Sequence, residues 1–229
     1  VHLAVVSCWN YRDCWNPCLE LIEKFWPEHP PITLITDKCF SYDFKIKPDI
    51  FTGPGWDWQW CQLVSFYATT INEPVILMQE DFLINSTVDD AAIRHGLELM
   101  KTRNTGCLRI YPCPGGTEEI GNPYIARIPK GTTARISCQA AIWEPTYLAE
   151  VAKKAMWTTS EAGDFENLGT PAAEEMPQEV LGFKRDAYPW PIEYINSAIS
   201  RGLWDPNAIA LCRRYGVEID RSMREVACA

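Results

Sequence analysis

Val75-Ile76-Leu77-Met78-Gln79-Glu80-Asp81-Phe82-Leu83-Ile84 runs four apolar residues into two adjacent carboxylates and then turns apolar again. Such a run, with two β-branched members, predicts a strand buried on both faces, as in a mostly parallel sheet. Glu80 and Asp81 then fall at its carboxyl end, where open α/β sheets place their ligands. A carboxylate taken out of water is costly unless a cation, a basic side chain or water attends it, so a pair held there marks a candidate site. An exposed turn with two solvated acids is the plainer alternative. Phe82, Leu83 and Ile84 weigh against it, because they do not read as a solvent loop.

Outward from this strand the pattern alternates between strand and helix. Residues 3–7 read as a first buried strand, followed by a polar and aromatic loop at 8–13. From Asn16 and Pro17 the apolar positions Leu19, Leu21, Ile22, Phe25 and Trp26 recur at helical spacing, with Asn16 as N-cap and Pro17 at the first helical position. Pro27, Pro30 and Pro31 stop that helix, and residues 32–36 form a second strand ending in Asp37. This is a βαβ unit. A carboxylate at the end of its second strand is where nucleotide-binding α/β folds hold a ribose or base, though a lone Asp there also serves as a plain loop residue.

Trp56, Trp58 and Trp60 alternate along the loop that follows. In an extended chain they share one side, either packed beneath the sheet or forming a stacking wall beside a ligand. A helix over 60–71 leads into the central strand. Past the acidic pair, residues 88–100 read as an amphipathic helix with Asp89 and Asp90 in its first turn, and 108–111 as a strand. A long irregular stretch then reaches about Thr133, long enough to be a candidate active-site loop. Residues 134–143 predict another strand, and 144–156 a helix.

Between Glu161 and Glu179 lie six acids and no Lys or Arg. A solvated acidic face explains such a run by default. Asp164-Phe165-Glu166-Asn167 is more specific, since Phe165 supplies a buried anchor with a carboxylate on either side. Nearer the C-terminus, Tyr194, Ile195, Ala198 and Ile199 suggest a helical stripe, and residues 206–215 a last helix.

The length of 229 residues suits one sizeable core. A hydrophobic fraction of 47% with 22% charged residues excludes a disordered chain. The formal net charge is −9, so a nucleic-acid partner would need a local basic patch. Arg201, Arg213, Arg214, Arg221 and Arg224 are the nearest approach to one. The ten Cys show no Cys-x-x-Cys pair and no zinc spacing, which predicts buried reduced thiols. No charged leader precedes the first strand and no apolar run reaches membrane-spanning length, so the sequence predicts a cytoplasmic protein, in host cytoplasm if phage-encoded.

Three separated stretches together resemble a known family. Residues 75–84, Ser-Cys-Gln-Ala-Ala-Ile-Trp-Glu-Pro-Thr-Tyr-Leu at 137–148 and Asp-Phe-Glu-Asn at 164–167 look like motifs of small GT-A-type glycosyltransferases of phages and bacterial surface-glycan clusters, in the same order. Two positions differ: Glu80 stands for the family's first Asp, and Gly163 for its Trp. The resemblance implies a single GT-A-like (Rossmann-like) α/β domain with a mostly parallel sheet flanked by helices. Residues 1–84 would be the nucleotide-sugar-binding half, and 85–229 the acceptor half with C-terminal helices.

It also implies a division of labour. Ser7, Trp9, Asp37, Trp58, Glu80 and Asp81 would bind a UDP-sugar donor, with Asp81 and Glu80 also holding a divalent cation, Mn or Mg. Asp164 and Glu166 would serve as catalytic bases toward the acceptor hydroxyl, with inversion at the anomeric carbon. DNA carrying a hydroxymethylpyrimidine, hydroxymethylcytosine or hydroxymethyluracil, is the favoured acceptor on the analogy with phage members, and a surface glycan the alternative. A nucleotidyltransferase and a non-catalytic carbohydrate-binding module remain competing readings.

Overall fold

The computed structural model describes residues 1–53, 59–156, 162–187 and 189–227, with the side chains of 162–164 outside the description. Strand β1 (His2–Val6) leads through a 3₁₀ segment, Trp9–Cys14, into helix α1 (Trp15–Phe25). Next come β2 (Ile32–Thr36), β3 (Asp49–Thr52), α2 (Trp60–Thr70) and β4 (Val75–Gln79), the strand of the apolar decapeptide. The middle of the chain forms β5 (Leu83–Ile84), α3 (Asp90–Thr102), β6 (Thr105–Arg109), β7 (Glu118–Glu119), β8 (Ile125–Arg127) and β9 (Ala141–Trp143). The remainder supplies α4 (Pro145–Ala155), α5 (Ala162–Glu174), β10 (Glu179–Phe183), the short strands β11 (Tyr194–Ile195), β12 (Ile199–Ser200) and β13 (Leu203–Trp204), and α6 (Pro206–Tyr215).

Among the described residues nine strands make one sheet in the order β3-β2-β1-β4-β9-β6-β10-β8-β7. The first four are parallel, and β9 runs antiparallel to both β4 and β6. β10 is again parallel to β6, so only β9 and β8 oppose the common direction. The sheet is therefore mostly parallel, flanked by helices, in one Rossmann-like domain. β2 lies on one side of β1 and β4 on the other, which makes the gap between their carboxyl ends the topological switch point of the sheet.

The strands alternate sides as their period of two requires. Leu3, Val5, Ile76 and Met78 pack with α1, α3 and α6, whereas Ala4, Val6, Val75 and Leu77 pack with α2, α4 and α5. Both faces are covered, which is why these strands read as continuous apolar runs. Local signals set the helix starts: the side chain of Asp89 accepts from the Ala92 N–H at 2.9 Å, and that of Glu144 from the Thr146 and Tyr147 N–H groups at 3.0 and 2.6 Å. Asp205 and Pro206 start α6, and Gly216 at φ 72° ends it. Gly106 lets β6 pass the Tyr147 ring, since a Cβ there would lie 2.4 Å from it.

Several expectations are corrected. Helix α1 begins before Asn16, whose side chain instead donates to the Asp43 carbonyl and accepts from the Lys45 N–H, both at 3.0 Å. The strand expected at 134–143 shrinks to Ala141–Trp143, because the carbonyls of Ala134 and Arg135 bond a buried guanidinium in place of a ladder. The expected stripe of Tyr194, Ile195, Ala198 and Ile199 is two short strands, divided by Ser197 at φ 74°. Six of the nine cysteines among the described residues are buried. Among the described residues no helix is long and apolar enough to cross a membrane.

Candidate active site

Glu80 and Asp81 follow β4 at the switch point and are only 6% and 7% exposed. Burial first, and the adjacent Asp81 charge second, push the Glu80 carboxyl well above the ordinary carboxylate range, against the opposing pull of the Ser7 hydroxyl and the Arg224 charge. Burial also raises Asp81 to about 6, although the Ser197 hydroxyl and the Ile199 backbone favour its charged form. Asp81 Oδ1 is buried and has no hydrogen-bond partner among the described residues. Such a pair resists carrying two full charges near neutrality, and a cation beside it would reverse that. The turn is held from behind, where the Ala198 N–H donates to the Asp81 carbonyl at 2.8 Å and β5 pairs with β11.

The carboxyl ends of β1 and β2 close the other side. Ser7 is buried, and its hydroxyl accepts from Trp15 Nε1 at 2.6 Å. Asp37 Oδ1 accepts from the Trp9 backbone N–H at 2.6 Å, which ties the end of β2 to the 3₁₀ segment. Trp9 is half-buried, edge-on to Phe40 and Trp15 with centroids 5.1 and 5.7 Å away, and carries the Arg12 guanidinium 4.6 Å from its ring. Ser7, Trp9, Asp37, Glu80 and Asp81 thus gather at one edge of the sheet. Trp58 lies outside the described residues.

The other acidic centre sits on the opposite face. Glu166, on α5, accepts from the Cys138 N–H through Oε1 at 2.8 Å, beside Phe165, whose ring lies tilted against Trp60 and Trp143. The Asp164 side chain is outside the description. Cys138 in turn neighbours the side chain of Gln79, the residue before Glu80. The segment 137–140 is therefore the physical link between the two centres.

No protein-family model and no curated protein matches this sequence. Among solved structures the chain is similar to 2-C-methyl-D-erythritol 4-phosphate cytidylyltransferase from Thermus thermophilus, with a TM-score of 0.50 and 11% identity over 94% of this chain and 98% of that one. The likeness is one of fold.

Sequence reasoning missed three features of this edge. Asp13, with a fully buried side chain, receives both Nε and Nη2 of Arg224 at 2.6 and 2.8 Å, and the same guanidinium lies 4.7 Å from the Tyr11 ring. A separation of 211 residues leaves no local signal for that pair. Ser197 beside Asp81 was hidden by a helical reading of its neighbours. Arg109 and Arg135 are buried on the far side, where their guanidinium groups donate to the carbonyls of Pro114, Ala134 and Arg135, and of Ile128 and Ala173. A single Arg in a strand-like run was the only sign of the first.

Among the described residues no group of three or more His, Cys, Asp or Glu is gathered to hold a metal ion. The unpartnered Asp81 Oδ1 beside Glu80 nevertheless fits a hard cation that takes its remaining ligands from substrate oxygens and water.

Proposed function

We propose that this chain is a glycosyltransferase that moves a sugar from a nucleoside diphosphate sugar, a UDP-sugar in the first instance, to an acceptor hydroxyl. The observation that carries this reading is the buried Glu80–Asp81 pair, with its unpartnered Asp81 Oδ1, at the switch point of the sheet. In this reading residues 1–84 hold the donor and residues 85–229 the acceptor. Glu80 and Asp81 would hold a divalent ion, Mn or Mg, which when bound supplies positive charge to the leaving diphosphate. Asp37, Ser7 and Trp9 fit the nucleoside side, with Trp58 proposed as a further stacking residue. Glu166 and Asp164 are the proposed bases, with inversion the expected outcome. Two acceptor classes suit this chemistry, a hydroxymethylpyrimidine in DNA and a glycan.

The cytidylyltransferase of like fold supports a second reading, nucleotidyl transfer, at the same edge. The products separate the two. Incubation with UDP-, GDP-, CDP- and dTDP-sugars and Mn²⁺ is expected to release nucleoside diphosphate, and Asp81→Asn to abolish that release with the fold intact by circular dichroism. Release of pyrophosphate from a nucleoside triphosphate, with no diphosphate from any sugar donor, would overturn the glycosyltransferase reading in favour of the second.

A further inference from the structure

Immediately after Asp81 a ladder of aromatic rings climbs from the core to the surface. Phe82 stacks on Tyr194 with centroids 4.7 Å apart and planes at 7°, Tyr194 stacks on Tyr111 at 4.4 Å, and Trp190 meets Tyr111 edgewise at 5.5 Å. Phe82 and Tyr194 are buried, whereas Tyr111, just past β6, and Trp190, in the segment that follows β10, are half-buried. The ladder is rigid at its base: the Tyr194 hydroxyl accepts from the Ala140 N–H at 3.0 Å and donates to Gln139 Oε1 at 2.7 Å. Gln139 Nε2 then donates to Oδ1 of the exposed Asn196 at 3.1 Å. Aromatic faces and amide side chains thus stand side by side, along the same edge as the acidic pair.

Resting on the glycosyltransferase reading, we propose that this ladder is the acceptor platform and that the acceptor is a neutral carbohydrate. The C–H bonds on one face of a pyranose carry slight positive charge and pack against the negative face of an aromatic ring, while amide groups at its margin exchange hydrogen bonds with hydroxyls. Tyr111 and Trp190 supply the rings, and Gln139 and Asn196 supply the amides. Charge argues against DNA at this place. A duplex is held by many phosphate contacts, yet Lys184 is paired with Glu119 at 2.8 Å, Arg109 is buried, and the Tyr111 hydroxyl feels Arg185 on one hand and Glu193 on the other.

The test is direct binding without donor, read by tryptophan fluorescence and calorimetry. Short neutral oligosaccharides of glucose, mannose, galactose, rhamnose and N-acetylglucosamine are titrated beside a duplex containing hydroxymethylcytosine. At least one oligosaccharide is expected to bind. Trp190→Ala and Tyr111→Ala should each weaken it about tenfold, Tyr111→Phe should preserve it because the ring face remains, and Asp81→Asn should leave it unchanged. Melting temperatures of the Ala variants control for folding, and Tyr111→Phe against Tyr111→Ala keeps the comparison if Trp190→Ala misfolds. Binding to none of the oligosaccharides, binding to the duplex in their place, or sugar binding indifferent to both rings would each overturn the proposal. Failure of the glycosyltransferase reading shows separately, as sugar binding intact with no diphosphate released from any donor.

Discussion

This sheet buries charge of both signs, and the two signs are treated differently. Arg109 and Arg135 are 0% and 2% exposed, but between them they donate to five carbonyls of the irregular stretch and of α5. Glu80 and Asp81 are nearly as buried and leave Asp81 Oδ1 with no partner. The guanidinium groups bond carbonyls that the ladder leaves over, although Arg109 Nε has no partner among the described residues, whereas the carboxylates meet only hydroxyl and backbone groups, Ser7 beside Glu80 and Ser197 and Ile199 beside Asp81. Burial alone therefore does not mark a site. What distinguishes the acids is their place at the switch point, where Asp81 Oδ1 is left over beside Glu80.

If that contrast is right, removing a buried arginine should damage the fold and removing a buried acid should not. Arg109→Ala strands three carbonyls and opens a cavity, so it should lower stability by about 5 kcal/mol in urea titrations. A loss below about 1 kcal/mol would mean that water replaces the guanidinium freely, and the contrast would fail on its structural side. Arg224→Ala comes next. It leaves the fully buried Asp13 without its bidentate partner, an expected loss of about 3 kcal/mol, with Arg224→Lys recovering part of it as a single contact.

Asp81→Asn should do the reverse, and its sign depends on pH. The folded carboxyl, at about 6, lies above its ordinary 3.8, so the folded state binds the proton more tightly than the unfolded chain. Its stabilising contribution is complete below 3.8, declines as pH rises through about 6, and is level beyond. Relative to the wild type, Asp81→Asn should therefore gain about 2 kcal/mol between about pH 4 and pH 8. Parallel stability curves would mean that Asp81 is not the group under stress. Mn²⁺ with UDP should raise the wild-type melting temperature and leave that of the Asn variant unmoved.

The parts legible in the sequence were those set by local periodicity. Residues 32–36 and 206–215 coincide with β2 and α6, and the decapeptide placed Glu80 and Asp81 at a strand end because both faces of β4 are buried. What escaped was whatever depends on distant partners. Tyr194 and Ile199 have a spacing compatible with a helix, yet Tyr194 pairs across to Ile84 and Ile199 to Trp204. The left-handed Ser197 lets the chain turn between those two pairings, and the pairing of Asp13 with Arg224 and the aromatic ladder join segments far apart in the chain.

The smallest expected effect on stability falls on Glu166, and it tests the contrast from its ambiguous member. Its Oε1 accepts the Cys138 N–H at 2.8 Å, so unlike Asp81 it already has work within the fold. Glu166→Gln keeps an oxygen in that position, and stability should change by less than about 1 kcal/mol. The amide can no longer take a proton. If Glu166 is the base, kcat should fall by about a hundredfold or more while donor affinity holds, and the fall should follow the loss of basicity across pH. Unchanged turnover would assign Glu166 to the same class as Arg109, a charge whose task is to hold the backbone beside it in place, here at Cys138.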